Sequence, residues 1–234
     1  MPSTINPGFF KMHYSLSRYY VDCFYAKHIT KFKNKALILD VGGIKNNKRG
    51  QFKIEDYDLN IKYLNIVSKT NPDFLCDATK IPVKKNHFDG IICSQLLEHV
   101  AEPPIVLKEI YRVLKPKGKL LLTVPFIYRI HPDPNDYGRY TDQYWKEILR
   151  KIGFTKTVIE KQGFYYSVLA DLIKSGVKQM QTENKPKNKI LKSFLVLIVG
   201  FIIKLMLKWE TKDSFRKNPF YNSFTTGFGI VATK

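Results

Sequence analysis

Short apolar runs separated by polar turns set the rhythm of the chain from residue 36 onward. Ala36–Val41 (ALILDV) is a continuous apolar run ending in Asp and Gly, the pattern of a strand buried on both faces of a parallel sheet. Gln51–Leu59 leads into a second strand expected to end near Asp58, and Asp73–Cys76 forms a short third. Phe88–Ser94 (FDGIICS) and Lys119–Pro125 (KLLLTVP) read as the fourth and fifth strands, Phe154–Lys161 as the sixth, and Thr226–Thr233 as the last. Between them the period changes from two to 3.6. Over 103–114, Leu107, Ile110, Val113 and Leu114 share one face, Pro103 stands in the first turn, and Lys115-Pro116-Lys117-Gly118 ends the helix. A second helix covers 141–152 and stops at Gly153. Strands alternating with helices predict a mostly parallel sheet with helices on both faces.

Two segments stand outside that alternation. Residues 9–32, rich in aromatics, place Phe10, Tyr14, Ser17/Arg18, Val21, Phe24/Tyr25 and His28 near helical spacing after Asn6-Pro7-Gly8, and predict a helix that covers one face of the sheet. Residues 164–220 interrupt the last two strands with a basic, apolar, helical insertion. The expected organisation is a single domain over 1–234: a helical cover (1–34), a core (35–163), the insertion (164–220) and a final strand (221–234).

At 44% hydrophobic residues the chain has enough apolar mass for a sizeable core, which excludes intrinsic disorder. The 39 Lys and Arg against 20 Asp and Glu give a net charge of +19. That excess either favours acidic partners or reflects a lysine-rich proteome. Cys23, Cys76 and Cys93 have no paired spacing and no His at zinc-ligand distance in sequence, so neither a disulfide framework nor a metal site is expected. A reducing compartment fits, and the first ten residues lack a secretory pattern, so the expected location is cytoplasmic, at the inner face of a membrane if the insertion binds one.

Candidate chemistry gathers where strands end, which is where open α/β sheets bind ligands. Leu39-Asp40-Val41-Gly42-Gly43 gives a loop whose glycines admit close backbone approach. Asp58, if it ends the second strand, is placed to accept hydrogen bonds from ribose hydroxyls. Asp77, in Cys76-Asp77-Ala78, is placed to accept from an adenine amino group. Each is also a common turn or cap residue, so order and spacing carry the weight.

Residues 37–126 closely resemble the type 11 methyltransferase domain of the class I S-adenosylmethionine-dependent family. The matching runs are Leu37–Gly43, Tyr57-Asp58-Leu59, Asp73–Pro82, FDGIICSQLLEHV at 88–100 and LKEIYRVLKPKGKLLLTVPF at 107–126. The segment from His131 to Thr141 (HPDPNDYGRYT) also resembles a motif of this group. The resemblance implies a Rossmann-like, seven-stranded, mostly parallel sheet with the last strand antiparallel, and S-adenosyl-L-methionine as cofactor. It implies Asp40, Gly42 and Gly43 along the methionine and ribose, Asp58 on the ribose hydroxyls, Asp77 and Ala78 at the adenine, and Ser94 and Gln95 beside the sulfonium. The first loop departs from the family's Gly-x-Gly: it reads Gly42-Gly43-Ile44-Lys45-Asn46-Asn47, with Asn standing where left-handed backbone is tolerated.

Methyl transfer from a sulfonium asks the protein mainly to position and desolvate, and a base is needed only for a hydroxyl or protonated amine. His131 is the candidate base, Asp136 its orienting carboxylate, and Arg139 a clamp for an acidic group on the acceptor; the alternative is that Asp136 and Arg139 only fix the loop. Glu98-His99 is read as structural. Over 190–208 the apolar run between Lys192 and Lys204 spans about 16 Å of helix, half of a hydrocarbon core of about 30 Å, so a simple span is disfavoured. Lys189, Ser193, Gly200, Lys204 and Lys208 form one polar stripe, and Trp209 follows. Two readings stand: a helix lying in a membrane surface through 189–209, or a helix buried against the domain or a second copy. A membrane location favours a lipid-linked glycan acceptor, alongside small molecules generally. Rival functions are a nicotinamide-dependent oxidoreductase, which requires a Gly-x-Gly-x-x-Gly absent here; a non-catalytic membrane-associated adaptor; and a nucleic-acid methyltransferase, disfavoured because the basic residues cluster around an apolar helix.

Overall fold

The computed structural model describes residues 14–45, 50–132, 134–183 and 189–234. The first helix, α1 (Leu16–Ile29), starts at Ser15, whose Oγ accepts the Arg18 N–H at 3.1 Å. The expected opening at Asn6-Pro7-Gly8 lies outside the described residues. The strands are β1 (Leu37–Val41), β2 (Asn60–Asn65), β3 (Phe74–Leu75), β4 (Phe88–Ser94), β5 (Leu114–Pro125), β6 (Thr155–Lys161) and β7 (Gly227–Thr233). Helices α2 (Pro103–Val113) and α3 (Asp142–Ile152) separate the later strands, and α3 stops at Gly153, whose φ of 114° only glycine adopts freely.

The seven strands form one sheet in the order β3-β2-β1-β4-β5-β7-β6. Pairings through β5 are parallel, and β7 runs antiparallel to both β5 and β6. This is the sheet that the resemblance implied. Helices cover both faces. On one, Val106, Leu107, Ile110 and Val113 of α2 and Trp145 and Leu149 of α3 pack on Leu39, Ile91, Cys93, Leu120 and Leu122. On the other, Val21, Phe24, Tyr25 and Ile29 of α1 pack on Ile38, Ile92, Leu121 and Val231. Alternate strand residues thus enter opposite cores, which is why the strands read as unbroken apolar runs.

The second strand corrects the sequence reading. Gln51–Leu59 is not its approach but a turn with a short 3-10 segment at Ile54–Asp56, and β2 begins only at Asn60. Phe52, Ile54, Tyr57 and Leu59 suggested a strand because they are apolar; they are apolar because the turn inserts them under α1. Asp58 therefore precedes β2, and its carbonyl accepts the N–H of Lys35 at the start of β1.

The insertion forms α4 (Tyr165–Glu183), α5 (Lys189–Glu210), α6 (Asp213–Lys217) and α7 (Pro219–Asn222). Leu16 of α1, Ala170 of α4 and Ile203 and Met206 of α5 make a third apolar cluster. Glu210 and Asp171 fasten it with buried bonds: Glu210 accepts from the Ser167 N–H at 2.7 Å, and Asp171 from the Leu16 N–H at 2.8 Å. The opposite side of α5 is also apolar and, among the described residues, uncovered: Leu197, Ile198, Phe201, Ile202, Leu205 and Trp209 are exposed. Among the described residues, no helix is long and apolar enough to cross a membrane.

Candidate active site

Three strand ends build the site. β1 delivers Asp40, buried at 8% exposure, and then turns through Gly42 at a φ of 78°, a left-handed conformation that strains any other side chain. A β-carbon on Gly43 would overlap the Asp40 carboxylate, so the second glycine is required by packing. At the end of β2 stands Asn65, whose Nδ2 donates to the carbonyls of Gly42 (3.2 Å) and Gly43 (3.1 Å) while its Oδ1 accepts the Val67 N–H (2.9 Å). Asn65 thus occupies the position that the sequence reading gave to Asp58. Asp58 lies at the opposite edge of the sheet, five β1 residues or about 16 Å from the glycine loop. It is removed from the set of ribose-binding residues.

A cavity of about 280 Å³ opens over this edge. Asp40, Gly42, Gly43 and Ser94 line its strand-end wall, and Phe52 and Ile54 contribute apolar surface. The remaining wall is α1, through Arg18, Val21, Asp22 and Tyr25. Sequence reasoning missed these residues by treating α1 as a cover; the signal was an Arg18–Asp22 pair one helical turn apart in an otherwise aromatic helix. Asp22 is 3% exposed and accepts hydrogen bonds from the Tyr14 hydroxyl and the Gln51 N–H, so α1 is tied to the chain that follows the glycine loop. Burial pushes the Asp22 carboxyl up from its ordinary value. Tyr25, fully buried, hydrogen-bonds Thr123 Oγ1 at 3.1 Å, and Thr123 in turn meets Ser94 Oγ at 3.3 Å.

The other expected cofactor residues are placed less uniformly. Asp77 follows β3 and is exposed, with Oδ1 accepting the Thr79 N–H at 2.7 Å in a local turn. Ala78 is buried in the larger core. Gln95 has a φ of 49°, and its Nε2 is buried with no hydrogen-bond partner among the described residues. Leu96 lies against Gly42, so the turn after β4 packs directly on the cofactor loop.

The loop after β5 brings His131, Asp136 and Arg139 together. Asp136 accepts the His131 N–H at 2.9 Å and receives both terminal nitrogens of Arg139, NH2 at 2.7 Å. Those bonds, chiefly the one from Arg139, hold the Asp136 carboxyl well below the usual carboxylate range. Arg139 also donates to the carbonyls of Gly138 and Arg129, so its guanidinium fixes the loop rather than reaching toward an acceptor. His131 Nδ1 lies 3.1 Å from the Arg129 carbonyl and 3.4 Å from Asp136. With Nδ1 donating to that carbonyl, Nε2 is the basic nitrogen. Burial lowers the His131 pKa and favours the neutral ring.

Glu98 and His99, read as structural from the sequence, join this cluster. The rings of His99 and His131 meet edge to face at 5.1 Å, His99 Nδ1 lies 2.6 Å from the Asn135 carbonyl, and the Glu98 carbonyl accepts the Tyr137 N–H at 2.7 Å.

Known proteins give the same answer at the level of class. The fold is shared with a S-adenosylmethionine-dependent methyltransferase from Archaeoglobus fulgidus (TM-score 0.57, 16% identity, covering 93% of this chain and 94% of that one). It is shared too with phosphoethanolamine N-methyltransferase 2 of Haemonchus contortus in complex with phosphomonomethylethanolamine and S-adenosylhomocysteine (0.55, 16%, 91% and 52%). Residues 47–122 match the family model described as a methyltransferase domain. A ubiquinone/menaquinone biosynthesis C-methyltransferase of Desulfotalea psychrophila is 39% identical over 69 residues, 28% of each chain. By sequence, then, residues 47–122 match a methyltransferase domain, and by fold the chain resembles S-adenosylmethionine-dependent methyltransferases. The match spans about a quarter of the length of the first curated relatives. The same fold also serves the 4+2 cyclase SpnF (TM-score 0.58, 18% identity, 93% and 81%), so the reaction has to be argued from the site.

Proposed function

We propose that the domain transfers a methyl group from S-adenosylmethionine to an oxygen of a sugar, a lipid-linked saccharide or another small molecule. The observation that carries this reading is the cavity at the carboxyl ends of β1 and β4, with the His131–Asp136 pair on the neighbouring loop. The cavity suits the cofactor: a buried carboxylate (Asp40) and a glycine turn stripped of side chains face apolar walls from Val21, Phe52 and Ile54. When bound, the cofactor supplies an electrophilic methyl on a sulfonium.

The chain's own residues do the rest. Gly42 and Gly43 let the backbone approach the ligand, and Asn65 holds their carbonyls in place. Asp40, Ser94 and Gln95 are assigned to the cofactor's polar groups, and Asp77 with Ala78 to the adenine side. His131 Nε2 takes the acceptor proton while Asp136 keeps the ring oriented. An oxygen acceptor is favoured because a neutral, oriented imidazole serves a hydroxyl. The relatives named for C-methylation in ubiquinone/menaquinone biosynthesis and for phosphoethanolamine N-methylation make a carbon or an amine the competing acceptor.

The uncovered apolar side of α5 supports a second element of the proposal, peripheral contact with an anionic membrane. Phe201, Leu205 and Trp209 are exposed on a helix that also carries exposed Lys204 and Lys208. A non-catalytic membrane adaptor is the alternative. Incubation with methyl-labelled S-adenosylmethionine and fractionated cell extract separates them. Transfer of label to a small or lipid-linked fraction, lost in His131→Ala, supports the enzyme; S-adenosylhomocysteine binding with no transfer to any fraction supports the adaptor.

A further inference from the structure

Glu98 is the polar group whose position the methyl-transfer reading leaves unexplained. Its side chain is 1% exposed, and neither carboxylate oxygen accepts a hydrogen bond among the described residues. His99 Nε2 lies 3.8 Å from it, beyond hydrogen-bonding distance. The guanidinium of Arg139 is committed to Asp136. A buried carboxylate without donors is costly unless a cation meets it.

Two imidazoles stand beside it, close enough to join it as metal ligands. Glu98, His99 and His131 each offer one donor atom, and the three lie within 4.8 Å of one another. In both rings the Nδ1 side is engaged by a backbone carbonyl, that of Asn135 for His99 and that of Arg129 for His131, which leaves both Nε2 atoms free. A histidine bound to a metal through one nitrogen usually donates the other to a carbonyl or carboxylate, and Asp136 adds such a carboxylate behind His131 at 3.4 Å.

We propose that Glu98, His99 and His131 bind a divalent first-row transition-metal ion next to the cofactor cleft. Two neutral imidazoles and one carboxylate suit Zn²⁺, Mn²⁺ or Fe²⁺, whereas Mg²⁺ and Ca²⁺ favour all-oxygen sites. Ligand bonds of about 2.0–2.2 Å require the donors to draw together by about 1 Å. The loop that carries His131 is already tied to the Glu98 turn by the Tyr137 N–H, so the closure is a local adjustment. Three protein ligands leave a coordination position open for a water or an acceptor oxygen.

The metal site stands on these contacts alone; its role in catalysis rests on the methyl-transfer reading and changes how His131 serves it. As a ligand, His131 would act on the acceptor through the ion, which would lower the pKa of a bound hydroxyl so that its proton passes to solvent water, in place of transfer to the imidazole.

The test is metal binding by the whole protein after chelator treatment, with no cofactor present. Titration with Co²⁺ should produce visible absorption bands at one equivalent, and Zn²⁺ should displace them. Glu98→Gln and His99→Asn should each weaken binding by 100-fold or more, with His99→Asn as the second variant should the buried Glu98 change unfold the protein. Absent bands, or Zn²⁺ binding equal in wild type and both variants, overturns the site. S-adenosylhomocysteine calorimetry on the same metal-free samples reports separately on the methyltransferase reading, so either conclusion can fail without the other.

Discussion

The side-chain amide of Asn65, at the end of β2, donates to the carbonyl of Gly43 at 3.1 Å and so ties the second strand to the loop after the first. A neighbouring bond to the Gly42 carbonyl at 3.2 Å repeats the tie. This pair of contacts makes Asn65 the residue that braces the glycine loop, with no carboxylate at that position.

Asn65→Ala should therefore weaken S-adenosylhomocysteine binding about tenfold, the effect of losing roughly 1–1.5 kcal/mol of hydrogen bonding. Asp58→Ala should leave affinity within twofold, because Asp58 faces the other edge of the sheet. Calorimetry on the two variants decides the matter; the reverse ranking would restore the ribose to Asp58.

Asp136→Asn should lower turnover by about 10²-fold, the range of a disturbed proton-transfer group, while cofactor affinity changes little. The substitution weakens the grip on the His131 N–H and on Arg139 together. Single-turnover rates beside equilibrium binding measure it. An equal loss in both would mean that the loop merely holds the cofactor site together.

On the far side of α1, Glu160 accepts from His28 Nε2 at 3.0 Å and from Lys27 Nζ at 2.8 Å, and these bonds, that from His28 foremost, lower its carboxyl to about 2. A carboxylate depressed in the folded state contributes stability that is complete above its unfolded pKa, about 4.3, and is lost as pH falls toward 2. Glu160→Gln should cost on the order of 1–2 kcal/mol near pH 7, allowing for its partial exposure, and progressively less from about pH 5 downward. Denaturant unfolding of both proteins across that range checks the sign; a difference that grows on acidification refutes it.

If α5 rests on a membrane, the full chain should sediment with anionic vesicles and not with zwitterionic ones. Phe201→Glu should abolish the effect, since Phe201 is 61% exposed and its replacement leaves the buried Ile203 and Met206 untouched. Raised salt should weaken it. A chain that stays in the supernatant with anionic vesicles at low salt removes the membrane from the proposal.

The strands were legible because burial on both faces writes itself as unbroken apolar sequence, as in Leu37–Val41 and Phe88–Ser94. The second strand was not: Asn60–Asn65 has polar residues at both ends and a lysine within, and the apolar turn before it gave the stronger signal. The same misphasing put Asp58 in the place of Asn65. His131, Asp136 and Arg139 could be read together from the sequence because one short segment carries them all. Glu98 and His99 escaped because their partner lies on a different loop, and only the fold brings β4 and β5 to a common edge. Arg18 and Asp22 escaped for a related reason, since an N-terminal helix shows its function only once its neighbours are known.

If the glycine loop, Asp40 and Asn65 form a cofactor site, titration calorimetry of wild type and Gly43→Val with S-adenosylhomocysteine will show it. A side chain at 43 must displace the Asp40 carboxylate without entering the hydrophobic core. The wild type should show one saturable site and Gly43→Val at least tenfold weaker binding, with thermal unfolding little changed. A wild type that fails to bind, or a Gly43→Val variant that binds as well as it does, would rule out a cofactor at this loop.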